Sequence, residues 1–439
     1  MLKAHSGQMG RRALLAAGAA PLIVPASALG LGRPSPSNRV AVAMIGVGRQ
    51  TVFVNLKQLL AMPEVDVVAI CDVDSWRLEQ AKNTIEAHYA KTRPSGSYKG
   101  CKTARDYREV LADKSIDGVM ISTPDHWHVP MSLDAVKAGK DVSCEKPLTR
   151  TIAEGRALAN AVAKHKRVFR TDSEFRSHDY FHRAIELVRN GFIGKLHTIR
   201  TGVPAGDEGC PPQPEMPVPP ELDYERWQGP APRAPYTERR VHKPKAYDRP
   251  GWMRHLYYCD GMVTNWGTHL NDLAQWGNGT DRTGPVEVEG HGVYPPSDSF
   301  WNVLISFEIQ YRYASGVRLY YKIDKPYVQF EGSEGYIHAE YSKPLIAEPA
   351  SILKAELGPN AVRFPLKSDK QDWVDAIKSR GQTLEDAEVG HRTTSMCHLG
   401  HIAIQTGKRL EWDPQRERFT NNEAANEYIA KPIHAPKHA

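Results

Sequence analysis

Continuous apolar runs alternate with amphipathic stretches over the first half of the chain. Val40–Ile45 is apolar throughout, Val65–Cys71 is apolar but for Asp66, and both are short enough to be strands buried in a sheet; 118–122, 141–144 and 167–171 are read as further strands. Apolar positions at helical spacing predict helices over 50–60, 75–89, 104–111, 130–138 and 152–164. Strands and helices in strict alternation predict a parallel, doubly wound sheet.

Past residue 170 the pattern changes. A helix over 180–189, stopped by Gly191, and a strand over 196–201 lead into 204–250, which holds about a dozen of the 32 prolines and has little periodicity. So long an irregular stretch inside a compact chain is usually functional, here an arm over the substrate cleft or onto a neighbouring subunit, or else a plain surface wrap. An apolar, Trp-containing helix runs from Asn265 through Trp276. Alternating strands over 286–292, 301–309, 317–321, 328–331 and 336–338 predict an open, mostly antiparallel sheet, with helices over 371–379 and 385–406 packing back on the body. The expected fold class is α/β: a Rossmann dinucleotide-binding domain over 39–169, then an α+β domain over 170–439 for substrate binding and oligomerisation.

Composition leaves this picture intact. With 439 residues, 41% hydrophobic and 25% charged, the chain can bury two cores and is neither disordered nor membrane-spanning as a whole. Its first 28 residues read as an export leader: Gly10-Arg11-Arg12, an Ala-rich apolar run over 13–24, and Ala26-Ser27-Ala28 at a cleavage site, with a linker over 29–38. That run is shorter than the ~20 residues a bilayer span needs, so no stable span is expected after cleavage, and a twin-arginine route to the periplasm is. Losing Lys3, Arg11 and Arg12 takes three charges from the formal +6 and leaves +3, too mild and too evenly spread for a nucleic-acid partner. The six cysteines are scattered, with Cys71 and Cys144 inside predicted strands, so buried free thiols are expected and no metal site is.

Candidate chemistry gathers at strand ends. Gly46-Val47-Gly48-Arg49-Gln50-Thr51 follows the first strand, as a pyrophosphate-binding turn requires, although Thr51 stands where a third glycine is usual. Asp72 ends the second strand; as a ribose-binding carboxylate it favours NAD over NADP, Arg77 softens that preference, and the alternative is a simple turn residue. Thr123-Pro124-Asp125-His126-Trp127-His128 and Glu145-Lys146-Pro147 follow two later strands and so border the same cleft. Asn265, His269 and Asp272 share a helical face, which is either a reactive surface or a helix with a satisfied core histidine.

Together, Gly46-Val-Gly48, Thr123-Pro124 with His128, Glu145-Lys146-Pro147 and Gly267-x-His269-x-x-Asp272 resemble the Gfo/Idh/MocA oxidoreductases over essentially the whole mature chain. The resemblance implies a nicotinamide cofactor held at Gly46, Gly48, Arg49, Asp72, Thr123, Pro124, His128 and Glu145. It further implies Lys146 orienting a substrate hydroxyl and His269 as its base. His126 and His128 lie near the nicotinamide or are structural. Arg176 is where such relatives place a cleft-lining side chain, with a structural salt bridge the alternative. Asn265 and Asp272 support the base; in many family members the residue at 265 is an aspartate, whereas an amide has no useful pKa.

The expected activity is therefore hydride transfer with a hydroxyl of a sugar, glycoside or polyol. Export adds the expectation of a tightly bound, recycled cofactor, since no nicotinamide pool lies outside the cytoplasm. Redox-neutral glycoside hydrolysis through transient oxidation satisfies the same constraint, and a carbohydrate-binding protein without catalysis is a third reading. A homo-oligomer through the C-terminal sheet is expected.

Overall fold

The computed structural model describes residues 38–93, 98 and 100–433. The expected leader, most of the linker, Pro94 and Gly96 and the tail from His434 lie outside these. Among the described residues no helix is long and apolar enough to cross a membrane.

Six parallel strands form the first sheet: β1 (Val40–Ile45), β2 (Val65–Cys71), β3 (Lys102–Ala104), β4 (Gly118–Ile121), β5 (Asp141–Glu145) and β6 (Phe169–Asp172), in the order β3-β2-β1-β4-β5-β6. Helices α1 (Leu56–Ala61), α2 (Ser75–Thr92), α3 (Tyr107–Ala112), α4 (His128–Lys137) and α5 (Ile152–His165) cover both faces, which is why β4 and β5 are buried at every position. Their starts are chemically marked: the Asp74 side chain accepts from Arg77 N at α2, and Thr151 and Glu154 form a reciprocal capping box at α5. The expected helix over 104–111 is present as α3, which begins only at Tyr107 because Ala104 ends the edge strand β3. Thr103 and Ala104 pair with Ile70 and Cys71, and the Asp106 side chain caps the helix that follows.

Beyond α6 (Asp179–Arg189) and β7 (Leu196–Val203), the irregular arm contains one short helix, α7 (Tyr224–Gln228). Then come α8 (Met262–Asn265) and α9 (Gly267–Asn278), followed by β8 (Glu287–Val293), β9 (Ser306–Arg312), β10 (Arg318–Ile323), β11 (Tyr327–Gly332), β12 (Gly335–Glu340) and β13 (Ile346–Glu348). The chain closes with α10 (Asp369–Ser379), α11 (Ala387–Thr406), β14 (Leu410–Asp413) and β15 (Arg418–Phe419). These strands with β7 form a nine-stranded sheet, β13-β12-β11-β7-β10-β9-β8-β14-β15, antiparallel except where β7 meets β10. Phe307, Ile309 and Tyr311 of β9, Leu319 and Tyr321 of β10 and Val328 and Phe330 of β11 face one way into a core shared with α6, α9 and α11. Glycines let the helices come that close: a Cβ at Gly400 would overlap the Tyr311 hydroxyl and one at Gly277 the Phe330 ring. The other face carries Arg200, Glu308, Gln310 and Lys322 around an open concavity. The strand expected from 301 starts only at Ser306, because Phe300 N and Asn302 N donate to Cys210 O and Arg254 O of the arm.

The expected domain boundary at 169/170 cuts through β6, which runs to Asp172. Nor is the nucleotide domain one continuous piece of chain. Trp373, Val374, Ala376 and Ile377 of α10 join the core formed by Val42, Met44, Val67 and Met120, and a Cβ at Gly118 would lie 2.9 Å from the Trp373 ring. All six cysteines are free and buried, as expected. Trp373→Ala is expected to lower unfolding free energy by ~3–5 kcal/mol, the usual cost of removing a fully buried aromatic, measured as a shifted urea midpoint at unchanged m value.

Candidate functional site

The glycine turn after β1 is built for close approach. Gly46 has φ +85°, and a Cβ there would lie 2.6 Å from the Ser122 carbonyl oxygen, so only glycine fits. At Gly48 the Cβ position has no heavy atom within 4 Å and opens onto the cleft. Thr51 replaces the third glycine without crowding, because its hydroxyl turns inward and donates to Gly46 O at 2.7 Å.

Asp72 stands beside the turn. Its Oδ2 accepts from Val47 N at 2.7 Å and its Oδ1 from Asp74 N at 2.9 Å. Burial pushes its carboxyl pKa up while those two donors pull the other way. Each carboxylate oxygen accepts a second bond, so capacity for hydroxyl groups remains. Arg77 also borders the cleft, but it is committed to Ala246 O at 2.8 Å and pairs with Asp74 at 3.5 Å. Pro124, Thr123, Glu145 and Lys146 continue the wall of the same cleft, which has a volume of about 380 Å³ and ends at Asn265 and Trp266. Glycine turn, strand-end carboxylate and open wall fit a dinucleotide.

His128 does not border this cleft. It is 1% exposed, with Nδ1 2.8 Å from Pro147 O and Nε2 2.9 Å from Thr123 O, so it ties the two strand-end loops together instead of touching a ligand. His126 is buried under the arm against Trp227, which pushes its pKa down to about 3. Glu145 is held by Asn55, whose amide donates to Glu145 Oε1 at 2.8 Å and to Ser122 Oγ at 3.1 Å. Sequence reasoning missed Asn55; the only signal was a polar residue at a position of the first helix that the sheet must bury.

At the far end the Lys146 ammonium donates to Asn265 O at 3.1 Å, so Asn265 contributes its backbone carbonyl to that contact. The expected single helix is broken at Trp266, and Asn265 ends α8 while His269 belongs to α9. His269 is buried, stacked on Phe175 at 4.3 Å, with Nδ1 3.0 Å from Ser173 Oγ, which leaves Nε2 as its free nitrogen. Burial first, then the charges of Lys146 and His178, hold its pKa well below the ordinary histidine value.

Asp272 does not support His269. It forms a two-pronged ion pair with Arg176, at 2.7 Å for each contact, and accepts from Thr393 Oγ1 at 3.2 Å. Arg176, 1% exposed and also bonded to Leu384 O, is thus the structural salt bridge and not a cleft-lining donor. Facing the same way along α9 was not enough, because a buried guanidinium claims the carboxylate first. Glu174, between the two residues that touch His269, is a further missed group. Its pKa is raised by burial and by Glu145 and Asp369, with Lys146 acting in the opposite direction. The register that pairs Glu145 with Asp172 places Lys146 and Glu174 just past the ends of neighbouring strands.

Comparisons with known proteins agree with this arrangement. A family model described as "Oxidoreductase family, NAD-binding Rossmann fold" matches residues 40–173, and another, "Oxidoreductase family, C-terminal alpha/beta domain", matches 206–439. A "Glycosyl hydrolase family 109 protein" of Stenotrophomonas maltophilia is 32% identical over 197 residues, 44% of this chain and 42% of that protein. The "Uncharacterized oxidoreductase YrbE" of Bacillus subtilis is 25% identical over 193 residues, 44% of this chain and 49% of that protein. The chain thus spans less than half the length of these curated relatives. Among solved structures, an aldose-aldose oxidoreductase from Caulobacter crescentus has a TM-score of 0.63 at 17% identity, covering 85% of this chain and 99% of that one. A levoglucosan dehydrogenase in complex with NADH and levoglucosan has a TM-score of 0.60 at 16% identity, with the same coverage. At such identities the two structures share the fold.

Asn55→Ala removes the donor to a buried carboxylate and is expected to cost ~1–3 kcal/mol. In a Glu145→Gln background the loss should shrink, which urea unfolding of single and double variants measures; additive losses would remove Asn55 from the support of Lys146.

Proposed function

Because the chain belongs to the Gfo/Idh/MocA oxidoreductase family, we propose that it oxidises a hydroxyl of a sugar, glycoside or polyol, using NAD in preference to NADP and keeping the cofactor bound between turnovers. The observation that carries this reading is the Lys146 ammonium on the same cleft as Gly46, Gly48 and Asp72, at the substrate end of its wall. When bound, the nicotinamide accepts the hydride from the carbinol carbon and can return it. Lys146, steadied by Asn265 O, donates a hydrogen bond to the hydroxyl oxygen and favours loss of its proton. His269, neutral because of its depressed pKa, takes that proton at Nε2 while Ser173 fixes its ring. Asp72, with spare acceptor capacity and an Arg77 already committed elsewhere, supports NAD. The Arg11-Arg12 leader supports twin-arginine export and hence a cofactor carried out within the folded protein. The polar open face of the nine-stranded sheet supports a homo-oligomer formed there.

A second reading, redox-neutral glycoside hydrolysis, is favoured by the glycosyl hydrolase family 109 relatives and by Glu174. A carboxyl whose pKa is raised by burial and neighbouring carboxylates is suited to be the general acid that a departing aglycone needs. Transient oxidation acidifies the neighbouring C–H, elimination releases the aglycone, water adds, and the carbonyl is reduced again, so hydrolysis is the net change. Release of aglycone from a glycoside by the purified protein, with no second sugar present, separates this from net oxidation.

Denaturing the purified protein should release about one nicotinamide nucleotide per chain. No nucleotide released, and none bound on addition, would sink both catalytic readings and leave a carbohydrate-binding role. Lys146→Ala is expected to lower turnover by about 10²–10⁴-fold with nucleotide still bound. A base whose pKa is lowered remains active down to that lower value, so kcat/KM should pass level through the ordinary histidine range near ~6.5. An acid limb centred on that value, lost in His269→Ala, would argue against a neutral buried His269.

A further inference from the structure

The arm between β7 and α8 lies on the nucleotide domain of its own chain and touches it at both flanks of the cleft. At the first flank, Leu222 bridges to Asp74, Asp223 N donates to Val73 O at 3.0 Å, and Ser75 N donates to Glu221 O at 3.0 Å. At the second, the Trp227 carbonyl accepts from Trp127 Nε1 at 3.0 Å, and Gly229 packs so tightly on the Trp127 ring that a Cβ would overlap it. The arm then returns across the crevice between β1 and β2. His242 meets Asp74 at 3.2 Å, and the Tyr247 ring sits 5.8 Å from Phe53, which follows the glycine turn, and 5.2 Å from Trp76 of α2. Tyr247 thus lies over the ends of β1 and β2, on the Asp72 side of the glycine turn.

Two residues later comes Arg249, which borders the cleft together with Arg49 and Gly48. Its one carboxylate neighbour among the described residues is Asp207 at 3.9 Å, and Asp207 is held more closely, at 2.5 Å, by Arg254. Among the described residues Arg49 has no carboxylate within ion-pair distance; its guanidinium lies 5.5 Å over the Phe53 ring. Partial burial, then the charges of Arg254 and Arg49, press the Arg249 pKa down against the opposing pull of Asp207. Two cations at a glycine turn, Arg49 with no carboxylate at ion-pair distance among the described residues and Arg249 sharing Asp207 with Arg254, form a site for a diphosphate.

We propose that residues 221–253 are a strap that retains the dinucleotide, with Arg249 joining Arg49 as a second cation for the pyrophosphate and Tyr247 closing the crevice above it. The inference rests on the reading that a dinucleotide occupies this cleft, and it makes retention a property of each single chain. Its test is the rate at which bound NADH leaves the intact protein when excess unlabelled NAD is added, followed by nicotinamide fluorescence. Arg249→Ala is expected to speed release about tenfold or more and to weaken the dependence of release on salt, while Arg249→Lys keeps most of both. Tyr247→Ala should also speed release, with its salt dependence unchanged. Both residues are partly solvent-exposed, and unchanged urea midpoints certify the fold of the variants. Release at the parental rate in both Arg249→Ala and Tyr247→Ala, from protein that binds NADH normally, overturns the strap and leaves the function reading intact. Failure of the parental protein to bind NADH overturns both.

Discussion

One buried imidazole fixes the geometry on which the chemistry depends. The His128 ring lies between the carbonyl of Thr123, after β4, 2.9 Å from Nε2, and that of Pro147, after β5, 2.8 Å from Nδ1, and so bridges two loops of which one borders the cleft and the other carries Lys146. Asn55 performs the corresponding task from the other side, linking the first helix to Glu145. Neither residue needs to touch a ligand. Positioning of this kind comes from groups whose own rotamers are locked by packing and hydrogen bonds.

Charge is handled by the same economy of place. Arg176 with Asp272, Arg150 with Asp260, and Lys370 with Asp172 and Asp369 are buried ion pairs: the first ties the segment after β6 to α9, the second ties the nucleotide domain to the end of the arm, and the third ties α10 to β6. Removing one partner would leave a bare charge in a low dielectric, so each pair holds its two elements together. Lys146 is different: it donates to a neutral carbonyl, which leaves its charge available to a substrate.

The strand ends were legible because alternating apolar runs and glycines report backbone needs that are local. Gly46 and Asp72 stand at strand ends, Lys146 directly follows one, and the order of the runs gave the parallel sheet. What the sequence hid were choices among partners. Asp272 and His269 share a helix, yet nothing in their spacing says that Arg176, almost a hundred residues earlier, would claim the carboxylate. His128 looked like a ligand residue because it lies close to the cleft in sequence, and only its two carbonyl contacts reveal a tie. The break at Trp266 was hidden because both halves keep helical residue types. Short strands such as β14 and β15 offer too few positions for alternation to register.

The return of α10 to the first sheet has a consequence for biosynthesis. The face of β1 that Trp373 covers is completed only by residues beyond 369, so nearly the whole chain must leave the ribosome before that sheet is closed. Until then its apolar side is open to chaperones, and the nucleotide domain cannot mature ahead of the rest despite being made first. Closure of that face is thereby a late event, set by a helix far along the chain from the strands it covers.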